Sequence, residues 1–196
     1  MMILDEDNEL TVEWKRYLAT LAAQLCVFDS EVSWALLKRC DLRKAEPLEC
    51  LKGLAESECF ALRGLEPASD HIFSLVRTDR KAEIHNRIWN AQIEALLPMI
   101  ETQRQQIIQE LDGEIRECLA REQITQYEVP VVDPLDLELG TIVYLMHHRT
   151  SEWEYALYVG DDQLRDLLEL LRESRNRLAH TKVCPIRLVE QLLDVN

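Results

Sequence analysis

The sequence predicts a mainly α-helical fold, and two observations carry that prediction. Only five glycines and six prolines stand in 196 residues, against an abundance of Leu, Glu, Gln and Arg. The leucines at 164, 167, 168, 171 and 178 recur at the interval that lays one apolar stripe along a helix. A 47% hydrophobic and 30% charged composition is that of a globular chain, long enough for a core and for one or two domains. No apolar run reaches membrane-spanning length and Met1–Leu10 is acidic, unlike a signal peptide. A cytoplasmic protein with no membrane partner is therefore expected.

Residues 1–9 are acidic and expected to be flexible. Val12 to Val27 reads as a helix with Trp14, Leu18, Leu21, Ala22 and Leu25 inward. Asp29 or Ser30 is placed to cap a second helix, Glu31 to Cys40, with Val32, Leu36 and Leu37 inward. A third helix is expected from Ala45 to Glu56, with Pro47 tolerated in its first turn. Glu58 to Arg63 and His71 to Val76 read as short strands, parted by Gly64, Pro67, Ser69 and Asp70. Three helices and a hairpin are the order of a winged helix-turn-helix, so residues 1–78 are expected to form such a domain. Its third helix carries Glu46, Glu49 and Glu56 against Lys44 and Lys52. Readers of duplex DNA present a basic face there, so a protein contact is expected instead.

Residues 79–196 are expected to form a second, helical domain. Asp79 to Ile124 is a long helical stretch with Ile84, Ile88, Ile93, Leu97, Ile100 and Ile107 at helical spacing and Pro98 as a bend. Gln126 to Pro134 is an extended break between two prolines. Helices are expected over Leu137–His148, Glu152–Val159 and Leu164–His180, the last entered through Gly160 and Asp161-Asp162. Pro185 opens a final helix, Ile186 to Val195.

The anomaly lies in Leu164–His180. At roughly 100° per residue, Arg175 falls inside the leucine stripe, while Arg172, Asn176 and His180 line one flank. A guanidinium on a buried face needs a partner or an incompletely buried face. Three readings account for it. Arg175 snorkels to a carboxylate in a structural helix; or two copies of the chain share the stripe; or the cations and His180 act on a phosphate. Glu94 and Glu101, seven residues apart, are either acids facing the cluster or solvated helix charges.

Arg175-Asn176-Arg177-Leu178-Ala179-His180 resembles the Arg-x4-His motif of the HEPN superfamily, with the Asn after the Arg and a small-apolar pair before the His. The resemblance spans about residues 80–196. It implies an all-α HEPN-like bundle that forms a homodimer through this helix and acts as a metal-independent endoribonuclease on single-stranded RNA. In that scheme His180 transfers the proton, Arg175 clamps the phosphate and Asn176 orients it, with Arg172 and Arg177 as further substrate-binding cations. The product is a 2′,3′-cyclic phosphate and a 5′-hydroxyl, with no cofactor and no metal. Lys182 stands where the HEPN toxins paired with nucleotidyltransferases carry Tyr, which sets the chain apart from that subgroup. The N-terminal part, with HNRIWNAQIEALLPMIETQR after it, resembles the segment following the ATPase core of STAND-type P-loop ATPases. That resemblance implies an ATPase module or partner protein, and a role as effector in a sensor or defence system. The alternative is a non-catalytic HEPN scaffold that holds partners or itself together.

Charge bears on both. With 36 acidic residues against 22 basic ones, the net charge of −14 opposes non-specific nucleic-acid binding. From Arg165 to Arg187 the balance reverses, six basic residues against three acidic, which suits a small phosphate-sized site. The six cysteines show no metal-site or disulfide-scaffold spacing, and adjacent His147 and His148 diverge on a helix. No metal site is expected.

Overall fold

A computed structural model of the chain describes residues 10–27, 29–66, 69–151 and 154–194. The fold is mainly α-helical. The expectations for residues 1–9, Pro67, residues 152–153 and Val195 lie outside the described residues. The chain divides into two compact units, 1–97 with 177–196, and 98–176.

In the first unit, α1 (Val12–Cys26) starts where Thr11 Oγ1 accepts the Trp14 N–H at 3.2 Å, and buries the expected face with Tyr17 added. Of the two candidate caps for α2 (Ser30–Arg39), Asp29 serves: its Oδ1 accepts the Glu31 and Val32 N–H groups at 3.1 and 3.0 Å. Pro47 opens α3 (Pro47–Glu56), where its missing N–H costs no helical bond. Of the charges on and before α3, Lys52 pairs with Glu49 at 2.8 Å and Lys44 with Asp41 at 3.2 Å.

The expected hairpin is not there, which removes the wing from the winged-helix reading. Glu58–Phe60 is one 3₁₀ turn, and α4 (Ile72–Arg77) occupies the second predicted strand. Four consecutive residues, Ile72, Phe73, Ser74 and Leu75, are buried, which a strand with one covered face cannot achieve. His71 starts the helix, its Nδ1 accepting the Phe73 N–H at 3.1 Å. Arg77 ends it, donating to the carbonyls of Ala55 and Phe60 at 2.8 and 3.0 Å and to that of Arg63. Gly64 takes φ +63° between the two pieces. A Cβ there would lie 2.7 Å from His71 Nδ1 and 2.8 Å from the Ser74 nitrogen, so no other residue fits.

The long helix α5 (Lys81–Glu110) runs through Pro98, and the chain passes from the first unit to the second within it. Arg87 secures its N-terminal half, donating to the Leu25 carbonyl at 2.8 Å and the Asp70 carbonyl at 2.6 Å. The second unit continues with α6 (Asp112–Arg121) and a minimal antiparallel hairpin, β1 (Thr125–Gln126) and β2 (Val129–Pro130). Tyr127 and Glu128, at φ +50° and +66°, give its two-residue turn the left-handed form that matches strand twist. After a 3₁₀ turn at Pro134–Asp136 comes α7 (Leu139–His147). Arg104 anchors that entry to α5 by donating to the Leu135 and Leu137 carbonyls at 2.9 and 2.7 Å.

The helix expected over Glu152–Val159 is also absent from the residues described. The chain instead doubles back: Arg149 and Tyr155 form a β-bridge, Ala156 N–H reaches the His148 carbonyl at 2.9 Å, and Leu157 N–H reaches Leu145 at 3.1 Å. These are carbonyls that the end of α7 leaves without helical partners. Satisfying them buries Ala156, Leu157 and Val159. The next helix, α8 (Asp162–Ala179), carries the candidate motif, and α9 (Ile186–Leu193) closes the first unit. The indole N–H of Trp14 donates to Asp194 at 2.7 Å, and Glu46 Oε1 accepts the Ile186 N–H at 3.1 Å.

Candidate functional site

The leucine stripe of α8 is buried at Leu164, Leu168, Leu171 and Leu178, as its spacing predicts. Arg175, however, is not the residue enclosed between the last two. Ser174 takes that fully buried position, its hydroxyl donating to the Leu170 carbonyl at 2.8 Å. A small side chain that satisfies itself on its own helix is far cheaper to enclose than a guanidinium. Arg175 lies at the margin with its side chain 42% exposed.

There it meets Glu138, the residue before α7, with Nη2 3.3 Å from Oε2. The other Glu138 oxygen accepts the Tyr127 hydroxyl at 2.8 Å, and the Glu138 N–H donates to Gln126 Oε1 at 2.9 Å. The hairpin and the start of α7 thus hold one carboxylate against Arg175. The hydrogen bond to Glu138, and then the charge of that carboxylate, raise the Tyr127 phenol above its ordinary range, because removing the proton would break the bond and place two anions together. Asn176, exposed, stands with Oδ1 3.5 Å from Arg175 Nη1. Arg172, one turn earlier, pairs with Glu169 at 2.7 Å, and the second oxygen of Glu169 meets His147 Nε2, also at 2.7 Å. Glu101 is taken by Arg104 and Gln105, and Glu94 by the Gln24 amide at 3.0 Å. Arg104 is the main cause holding the Glu101 carboxyl below its ordinary range, with Arg175 a smaller contributor.

In the first unit, Arg177 turns to its own chain, its guanidinium donating to the Val183 carbonyl at 3.2 and 3.0 Å. His180 is exposed, one residue past the end of α8. The helix stops there in a Schellman turn: Thr181 N–H bonds Leu178 at 3.2 Å, Lys182 N–H bonds Arg177 at 2.8 Å, and Thr181 sits at φ +54°. Glycine usually fills that position, and a β-branched residue there is costly.

Three side chains of α5 hold the turn in place. His85 Nε2 lies 3.1 Å from the Thr181 carbonyl and must carry the proton to donate to it. Trp89 donates to the Leu178 carbonyl at 2.8 Å. Buried Gln92 grips Cys184 from both sides, donating to its carbonyl at 2.9 Å and accepting its N–H at 2.7 Å. The fixed backbone around His180 is therefore set by residues at i, i+4 and i+7 of another helix. Sequence reasoning missed this trio, and it missed Glu138, Tyr127 and Glu169. The legible signal was a run of side-chain donors, His85, Trp89 and Gln92, riding beside the apolar positions Ile84, Ile88 and Ala91.

No group of three metal-binding side chains occurs among the described residues, and none of the described helices is long and apolar enough to cross a membrane. Comparison of the chain with protein-family models, with curated proteins and with solved structures returns no match.

Proposed function

We propose that this chain is a non-catalytic helical scaffold of the HEPN type, which works by contact through the face carrying Arg175. The observation behind this reading is the Arg175–Glu138–Tyr127 chain of polar contacts. The guanidinium assigned to phosphate already has an acid, and the acid in turn positions a tyrosine whose side chain stands 82% exposed. Val129 and Val132 are exposed on the same short segment. Tyr and Arg are among the side chains enriched at the centres of protein interfaces, where they account for much of the binding energy. Arg172 and Arg177 are likewise occupied, by Glu169 and by the Val183 carbonyl. Light scattering tests the reading: Arg175→Ala and Tyr127→Ala should each lower the mass of an assembled wild type while RNA stays intact. A wild type that is monomeric and without a captured partner would refute it.

A second reading, the metal-independent endoribonuclease, is favoured by one observation. The Arg175–Glu138 pair is exposed at both ends, and such pairs contribute only about 0–1 kcal/mol, so a phosphodiester can displace the acid. Asn176 and His180 are open to solvent. Incubation with single-stranded RNA in the absence of metal, followed by end mapping, separates the two readings. Cyclic phosphate ends that vanish in both Arg175→Ala and His180→Ala would establish the enzyme, and uncut RNA would exclude it.

A further inference from the structure

A cavity of about 550 Å³ lies between α2 and the 3₁₀ turn of the first unit, with Trp34, Phe60, Arg39, Glu31 and Cys59 among its walls. Two of these are aromatic, and Trp34 is 49% exposed. Arg39 lies over the Phe60 ring, 5.8 Å from its centroid, and donates from Nη1 to Cys59 Sγ at 3.1 Å. Ser57 Oγ stands 3.4 Å from the same sulfur. Its single proton also reaches the Leu54 carbonyl at 2.5 Å, but that carbonyl keeps the Ser57 N–H at 3.1 Å when the hydroxyl turns away. A thiolate at Cys59 can therefore collect the Arg39 donor and, when the hydroxyl exchanges its bond to Leu54 for one to sulfur, that of Ser57. Of the six cysteines this one alone is exposed; Cys26, Cys118 and Cys184 are buried and Cys40 and Cys50 half-buried.

We propose that this cavity is a covalent binding site, in which Cys59 forms a mixed disulfide with a small carboxylate-bearing disulfide seated against Trp34. The thiolate Sγ attacks the nearer sulfur of the ligand, forming one S–S bond as the ligand's own S–S bond breaks. The departing half leaves with the electron pair and takes a proton from solvent. Cys59 is oxidised and the leaving half is reduced to a thiol, so no further oxidant enters. Once Sγ is bonded, Arg39 loses its anionic neighbour and faces the bound half, which is why a ligand carrying a carboxylate fits. The hydroxyl of Ser57 and then the guanidinium of Arg39 hold the Cys59 thiol below its ordinary range, while burial pushes Cys26 and Cys50 up to about 12. The acids nearby are Glu31, which Arg63 engages, and Glu58, the chain neighbour of Cys59.

Glutathione disulfide is the probe, and intact-protein mass against time the readout. One adduct is expected on the wild type and none on Cys59→Ser. The rate should level off as the probe concentration rises, because binding precedes reaction. Trp34→Ala, at an exposed position that folding tolerates, should make the dependence linear. Arg39→Ala should slow the reaction at neutral pH. A rate linear in concentration on the wild type, or an equal adduct on Cys59→Ser, overturns the proposal. So does an unchanged rate on Arg39→Ala.

Discussion

Arg175 and Glu138, thirty-seven positions apart in the chain, face each other across 3.3 Å, and Tyr127 holds the carboxylate from its other side. Removing the charge should leave folding nearly intact, because both partners are wet. Glu138→Gln is expected to change unfolding free energy by less than about 1 kcal/mol in urea titration. If the face is an interface, the same substitution should alter the mass of the assembly far more than the monomer's stability. A loss of several kcal/mol would mean that the trio holds the fold and not a partner.

Gln92 should behave in the opposite way. Its amide satisfies both the N–H and the carbonyl of buried Cys184, ninety-two residues further on. Gln92→Leu keeps the volume but strands both groups, at about 1–3 kcal/mol each. Chemical denaturation should show a loss of about 2–6 kcal/mol, and a change under about 0.5 kcal/mol would show that water repairs the site.

Asp29 predicts an acid-sensitive term. Burial works to raise its pKa, but the Val32 N–H, then His71 and Arg63, outweigh it and bring the group down to about 2. Because His71 Nδ1 accepts the Phe73 N–H, the ring proton sits on Nε2 and donates to Asp29 at 3.0 Å. The folded state thus prefers the carboxylate more than the unfolded chain does, whose Asp titrates near about 4. This contribution is complete above about pH 4 and disappears as pH falls towards about 2. Asp29→Ala should therefore cost about 1–2 kcal/mol at neutral pH, and the gap from wild type should close by about pH 2 in thermal melts. A gap that persists there would assign the effect to packing.

Thr181 offers a gain. It holds the left-handed position that ends α8, where glycine carries no Cβ penalty. Thr181→Gly should raise stability by about 0.5–1 kcal/mol, as read from the urea midpoint. A loss would mean that the Thr181 hydroxyl, which donates to the His180 carbonyl at 2.7 Å, matters more than the backbone.

The helices were legible wherever apolar residues kept a helical period: α1, α2, α3, α7, α8 and α9 lie close to their expected spans, whereas the one stretch expected over 79–124 is two helices, α5 and α6. The failures were short runs. Glu58–Arg63 and His71–Val76 contain too few residues for a period of two to be told from one of 3.6, and the caps and Arg77 decided the matter. Over 154–159 an apolar run was read as helix, whereas the carbonyls at the end of α7 claimed its backbone. At the candidate site the sequence placed Arg175 inside the buried stripe, whereas the fold leaves it at the margin. The sequence could not show that Ser174, about 100° round the helix from Arg175, would take the buried slot, nor that the acid would come from a residue preceding another helix.

The first unit draws on both ends of the chain, and the bonds from Trp14 to Asp194 and from Gln92 to Cys184 tie those ends together. On the ribosome, residues 1–97 emerge long before the strap and helix that complete their core. Until synthesis reaches residues 177–196, the amide of Gln92 and the apolar surface that α9 covers have nothing to close against. The nascent protein must wait in that open form, which makes a chaperone's protection most valuable before residues 177–196 have emerged.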